Sequence, residues 1–369
     1  MKVFNYLFNK YGIPVLFVGF TGVGVKLYFR NIEFVLVSDS GFVEVLLPYS
    51  FSSELTNKKY KVVTNDTSDD IVLNIMSQRL FPNKTQNFDY SEGQIFEGSK
   101  KISFTVKKLE IKDKKQELTI LEKPDKKFVN EYKEACVKAL AVEYRVNESD
   151  KEKKEKAESQ LARLREWCTE PTIKDVLGRH KFQLLTETNK GITDDDWKDV
   201  IAGGWFKKEG DTKYWEKQSF ISESEIESFL GGKEKLNEEG IKSKTDVTDE
   251  QVSKFKKKCQ EILEKPFTRK TFYAPTMFWK EMDPKEKDGI DEFQEAALFC
   301  SKPMKVDDYV DKSMQGLPKS SFSEADKKDY CYVNKGIEEY KNLKTNEPIE
   351  GKSFWCAVKL LYDKNKHSK

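Results

Sequence analysis

Residues 164–171, Leu-Arg-Glu-Trp-Cys-Thr-Glu-Pro, and residues 296–303, Ala-Ala-Leu-Phe-Cys-Ser-Lys-Pro, carry one signature: apolar residues, an aromatic, a cysteine, and a proline three positions later. Proline cannot continue a helix, so both stretches read as helix ends. Each cysteine has an earlier partner on a helical stripe. Phe128, Val129, Tyr132, Cys136, Ala139 and Leu140 follow helical spacing as far as the polar Glu143. A second helix then starts at the capping box Ser149-Asp-Lys-Glu152 and puts Ala157, Leu161, Leu164 and Cys168 on one stripe. In the later copy, Val247 and Thr248 with Gln251 and Val252 form a hydrophobic staple and a capping box, and Val252, Phe255, Cys259 and Ile262 share a stripe. Asp283-Pro284 starts its partner helix, which ends at Leu298-Phe299-Cys300.

The six cysteines thus separate into Cys136 and Cys168, Cys259 and Cys300, and Cys331 and Cys356, the second of each preceded by Trp167, Phe299 or Trp355. The third pair lacks the proline. This predicts two good copies and one degenerate copy of a helical hairpin. A zinc site needs knuckle spacing and histidine, and the chain has only His180 and His367, so no metal is expected. Disulfide staples and buried free thiols both satisfy the pattern; if bridges form, the repeat favours sequential pairing and an oxidising compartment.

Upstream, residues 11–25 (YGIPVLFVGFTGVGV) carry no charge between Lys10 and Lys26, and apolar residues continue to Phe29. At about 1.5 Å per residue this core is shorter than a ~30 Å hydrocarbon slab, and snorkelling lysines at both ends would extend it. Gly12, Gly19, Gly22 and Gly24 suit close helix packing in lipid. The expectation is a membrane anchor over residues 1–30, touching lipid through 11–29, single-pass, in the cell membrane; a cleaved signal or a buried helix or strand are the alternatives. Lys2 and Lys10 precede the segment, and after Arg30 the next cation is Lys58, which favours an extracellular location for the bulk of the chain.

Between anchor and helices, residues 31–125 read as β-rich. Val, Ile, Phe and Thr crowd 34–47 and 60–63, and KISFTVKKLEI at 101–111 alternates with period two before a polar turn and a second strand to Leu121. The fold class is therefore α+β: an N-terminal membrane segment, a β-rich region, then mainly α-helical hairpin repeats carrying paired cysteines. The expected divisions are 1–30 anchor, 31–125 β-rich domain, 126–250 first helical repeat with an aromatic hairpin, and 251–369 second and third repeats.

Composition narrows function by exclusion. Charged residues make up 35% against a usual value of roughly 25%, yet 65 cations and 63 anions nearly cancel. A nucleic-acid partner would normally demand a basic excess, so none is expected. Asn65, Asn83 and Asn147 sit in glycosylation sequons, which a Lys-biased sequence does not by itself put to use. No phosphate loop, nucleophile elbow, kinase or metalloprotease signature occurs, so neither cofactor nor catalytic residue is assigned. Thr193-Asp-Asp-Asp-Trp197 resembles a metal-binding run, but Thr193 as N-cap with Asp196 behind it explains it as a helix start. Trp205 and Phe206, then Tyr214 and Trp215, stand at the two shoulders of a hairpin, where they would either stack against a sugar or protein partner or close a small core. Asp288, Asp291, Glu292 and Glu295 provide carboxylates at helical spacing, fit for hydrolysis if they converge and for a solvated face if they do not.

The glycine-rich N-terminal segment, the aromatic-cysteine pairs, the stretch CTEPTIKDVLGRHKFQLL at 168–185 and Asp195-Asp-Trp197-Lys together resemble the large paralogous families of uncharacterised membrane-anchored proteins in haemotropic mycoplasmas. The anchor and residues 130–300 carry the likeness; 31–125 does not. It implies topology and an exposed, variable surface role, with no catalytic or binding residues to transfer. The expected function is accordingly a membrane-anchored surface protein, a binding or antigenic module facing a host-cell protein or glycan; the alternative is an anchored hydrolase using the clustered carboxylates.

Overall fold

The structure, a computed structural model, describes residues 26–30, 33–38, 41–46, 49–78, 86–88, 100–102, 104–111, 116–124, 126–145, 150–186, 189, 191–268, 280–282, 290–314 and 316–367. Residues 11–25 of the expected membrane segment lie outside this set. Residues 26–29 do not continue a helix: Lys26–Arg30 is strand β1, paired antiparallel with β2 (Glu33–Ser38), which pairs in turn with β3 (Gly41–Leu46). Backbone groups committed to a strand ladder cannot also prolong an apolar helix, so residues 26–29 are not helical. Among the described residues no helix is long and apolar enough to cross a membrane.

The β-rich expectation for 31–125 holds in part. The hairpin is present as β6 (Phe104–Ile111) and β7 (Gln116–Pro124), and β4 (Gln86–Phe88) pairs with β5 (Lys100–Ile102). Two helices interrupt the strands: α1 (Phe51–Asn57) and α2 (Asp69–Met76). Ser50 and Ser68 start them by accepting the amides of Ser53 and Ile71, the capping that β-branched composition had concealed.

Helices α3 (Val129–Leu140) and α4 (Lys151–Trp167) follow as expected, except that α4 is capped by Asp150, which accepts Lys153 N–H, instead of by Ser149. Then come α5 (Ile173–Arg179), α6 (Asp194–Ala202), the small hairpin of β8 (Lys208–Glu209) and β9 (Thr212–Lys213), α7 (Glu223–Leu230), α8 (Lys233–Asn237), α9 (Asp249–Leu263) and α10 (Glu292–Phe299). The expected start of α10 at Asp283-Pro284 lies outside the described residues; the cap observed is Asp291, whose carboxylate accepts Phe293 N–H. The chain ends with α11 (Val306–Ser313), β10 (Gly316–Pro318), α12 (Ile337–Asn342), α13 (Phe354–Leu361) and β11 (Tyr362–His367).

Backbone pairing reveals three units of common topology, beginning at Ser50, Thr172 and Lys305. In each, the cap of the first helix bridges a residue that follows a later helix of the unit: Ser50 with Glu143, Thr172 with Pro266, Lys305 with Lys344. The chain leaving that first helix then donates to the end of the unit's last helix: Val63 N–H to Cys168 O, Leu185 N–H to Cys300 O, Lys319 N–H to Leu361 O. Every unit is therefore closed twice by backbone pairing.

All six cysteines are bridged, 136 to 168, 259 to 300 and 331 to 356, the sequential pairing the repeat favours. The third bridge is not an equivalent of the other two. Cys168 and Cys300 cap the C-termini of α4 and α10, whereas Tyr362 caps α13 in the third unit and Cys356 lies in the first turn of that helix. The shared aromatic before Cys356 is thus a coincidence of register.

Among the described residues two apolar clusters form the interior. One joins α1 and α2 to α3 and α4, from Phe51 to Cys168, across the boundary expected at 125. The other runs from Ile173 to Tyr362 and fuses the second and third units, across the boundary expected at 250. The division between clusters falls instead at the linker 169–172.

Candidate functional site

The aromatic hairpin offered as a binding surface is part of the core. Strands β8 and β9 pair as expected, with Gly210 at φ 57° in the turn. All four rings, however, point inward: Trp205 is 3% exposed, Phe206 0%, Tyr214 1% and Trp215 4%. Trp205 packs edge-on to Phe299 at 5.6 Å and against Trp355 at 5.7 Å, while its indole N–H donates to Thr345 O. Phe206 meets Phe229 at 4.8 Å, and Tyr214 donates to Glu209 and accepts from Gly351 N–H. Burial and the Glu209 carboxylate push the Tyr214 phenol far above its ordinary value. Rings so packed supply burial energy and leave no face for a sugar, which corrects the binding assignment of Trp205, Phe206, Tyr214 and Trp215.

The acidic set does not converge. Asp288 lies outside the described residues, Asp291 caps α10, and Glu292 reaches Lys265. Glu295 is 3% exposed rather than on a solvated face; its carboxylate accepts Ser219 N–H, and burial pushes it up to about 8. A second buried carboxylate, Glu281, accepts from Lys217 at 2.7 Å and from Ser353 N–H, and Lys217 also donates to Gly351 O. This pair ties 217, 281 and 351–353 together inside the protein, where removing one partner would strand the other. Neither Glu295 nor Glu281 lines a cleft found among the described residues. No group of metal-binding side chains occurs among the described residues.

What the fold does present is a polar cleft of about 480 Å³ where the second and third units meet, a volume within the ordinary range for ligand sites. Helix α6 supplies Asp196 and Asp199, the following turn Gly203, the strap before α9 Lys244, the interunit linker Lys302, and the loop after α12 Lys344, Asn346 and Glu347. Each carboxylate of α6 is matched: Asp196 with Lys302 at 2.8 Å, Asp199 with Lys244 at 2.8 Å, and Lys244 also reaches Asp195. Lys302 and the Thr193 amide hold the Asp196 carboxyl below its ordinary range, and the two aspartates hold Lys244 above its own. Asn346 donates to Asp199 O and sits so close to Gly203 that a Cβ there would overlap it. Its amide oxygen is buried and has no hydrogen-bond partner among the described residues.

Chemically, the cleft fits recognition better than catalysis. The shifts of Asp196 and Lys244 move both away from neutrality, where a general acid or base would have to titrate, and the lining holds no cysteine or histidine. Sequence reasoning accounted for Asp196 as a helix-start residue, and the capping box with Thr193 is present. It missed the cleft because the lysines and Asn346 come from segments up to 150 residues away, brought together by long-range contacts such as the Lys305–Lys344 bridge and the Asn346–Asp199 hydrogen bond. The comparisons add no relative: no family model, curated protein or solved structure matches this chain.

Proposed function

We propose that the protein is an extracytoplasmic binding scaffold, held at the cell membrane through its N-terminal segment and without catalytic chemistry of its own. The observation that carries this reading is the trio of buried disulfides. Reducing compartments keep thiols reduced, while secreted and surface proteins gain stability from such bridges. The resemblance to mycoplasma surface families points the same way, and so does a near-neutral, heavily charged exterior suited to solubility without nucleic-acid binding. The partner is a host-cell protein or glycan, and the polar cleft at Lys244, Lys302 and Lys344 replaces the aromatic hairpin as the surface offered to it.

Protease treatment of intact cells, read with an antibody to the helical units, tests the location. Rapid loss of the full-length band is expected; protection until the membrane is broken would place the bulk of the chain inside and end the proposal. Carbonate extraction tests the attachment, with the full chain expected in the membrane pellet and a variant lacking residues 1–30 in the supernatant. Recovery of the full chain in the supernatant would remove the anchor.

A further inference from the structure

The two apolar clusters share no residue, and the hydrogen bonds described between them run through the linker and Arg179. At the linker, Thr169 bridges Val62 and Glu170 N–H donates to Lys61 O, so this end belongs to the first unit. One peptide later the partners change. Phe267 N–H donates to Pro171 O and Ile173 N–H to Lys265 O, so the other end belongs to the second unit. Disulfides fix both sides, Cys168 to Cys136 behind the linker and Cys259 to Cys300 beyond it. The change of partner between Glu170 and Pro171 is therefore a pivot between two bodies that are each internally stapled.

Arg179, the last residue of α5, reaches back across this pivot. Its guanidinium donates to the carbonyls of Arg165 and Glu166, in the last turn of α4, and to the side-chain oxygen of Gln78. Gln78 is 1% exposed and is itself fixed, donating to Ile75 O and Glu166 O. A cation among the last carbonyls of a helix complements the negative end of its dipole, and the planar fork of Arg engages several acceptors at once. The second joint is built otherwise. There the residue equivalent to Arg179, seven positions after its helix cap, is Lys312, whose carbonyl meets the ring of His180, and apolar residues such as Phe182 and Tyr309 cross the boundary at 6.2 Å. Units two and three are fused by their core; unit one is latched.

We propose that Arg179 is the latch of a hinge at Glu170–Pro171, about which the membrane-proximal first unit turns relative to the fused pair that carries the cleft. The test is double electron–electron resonance on the full chain in detergent micelles, with spin labels introduced through non-canonical amino acids at the exposed positions Lys138 and Lys257. The native chain is expected to give a narrow distance distribution. Arg179→Ala is expected to broaden and lengthen it while all three disulfides and the near-ultraviolet circular dichroism persist. Arg179→Lys, with a charge but no fork, is expected to fall between them, and Lys174→Ala on the same helix to change nothing. A distribution already broad in the native chain, one unmoved in Arg179→Ala, or loss of the fold in that variant would each overturn the latch.

Discussion

At the scale of single residues the repeat leaves a signature in backbone strain. Lys59 and Lys181 both adopt left-handed conformations, at φ 66° and 61°, at matching places after α1 and α5. That conformation costs a side-chain-bearing residue about 1–2 kcal/mol, while glycine adds about 0.5–1 kcal/mol of backbone entropy. Lys181→Gly should therefore be neutral to stabilising by at most about 1.5 kcal/mol in chemical denaturation, and Lys181→Val clearly destabilising. Glu295 makes the converse case. Its folded-state value, about 8, lies above the ordinary 4.5, so its contribution to stability is full below pH 4.5 and declines as pH rises toward 8. Denaturant midpoints at pH 5 and pH 8 should differ more in the native protein than in Glu295→Gln. An equal difference in both would mean that Glu295 is not protonated in the fold.

Helices and hairpins show why part of the structure was legible and part was not. The stripes through Tyr132, Cys136, Phe255 and Cys259, the capping boxes at Thr193 and Thr248, and the 104–124 hairpin are set by local spacing, and the structure has each of them. Reading 31–125 as β-rich failed at α1 and α2 because Phe51, Val72 and Ile75 have strand-like composition; only the serine caps and the likeness of 50–64 to 172–186 betray the helices. The aromatic hairpin was legible as a hairpin, but which way its rings face depends on Phe299, Thr345 and Trp355, all distant in sequence. Since those rings are core, Trp205→Ala should cost about 3–5 kcal/mol of stability, measured by urea denaturation. Stability within 1 kcal/mol of native, with a lost surface interaction, would restore a binding role. Replacing Cys136 and Cys168 together by Ala should destabilise the first unit by about 3–4 kcal/mol. Because the clusters are separate, calorimetry should show an early transition for that unit and an unshifted one for the rest.

Across the described residues, three closed units, two apolar cores and three disulfides spread the stability over more than one compact core. Bridges that close loops of 32, 41 and 25 residues restrict the unfolded chain, the longest loop the most. The helical, disulfide-paired character of the chain was readable from the cysteine spacing; the closure of each unit was not, because it rests on isolated backbone bridges such as Thr172 to Pro266 that leave no periodic trace. Location and function both hang on oxidation of the cysteines in the living cell. Non-reducing peptide mapping of protein taken from its native cells, with free thiols blocked at lysis, measures this directly. Three linked peptide pairs, 136 with 168, 259 with 300 and 331 with 356, and no blocked thiol are predicted; six blocked thiols, or bridges between units, would contradict the account.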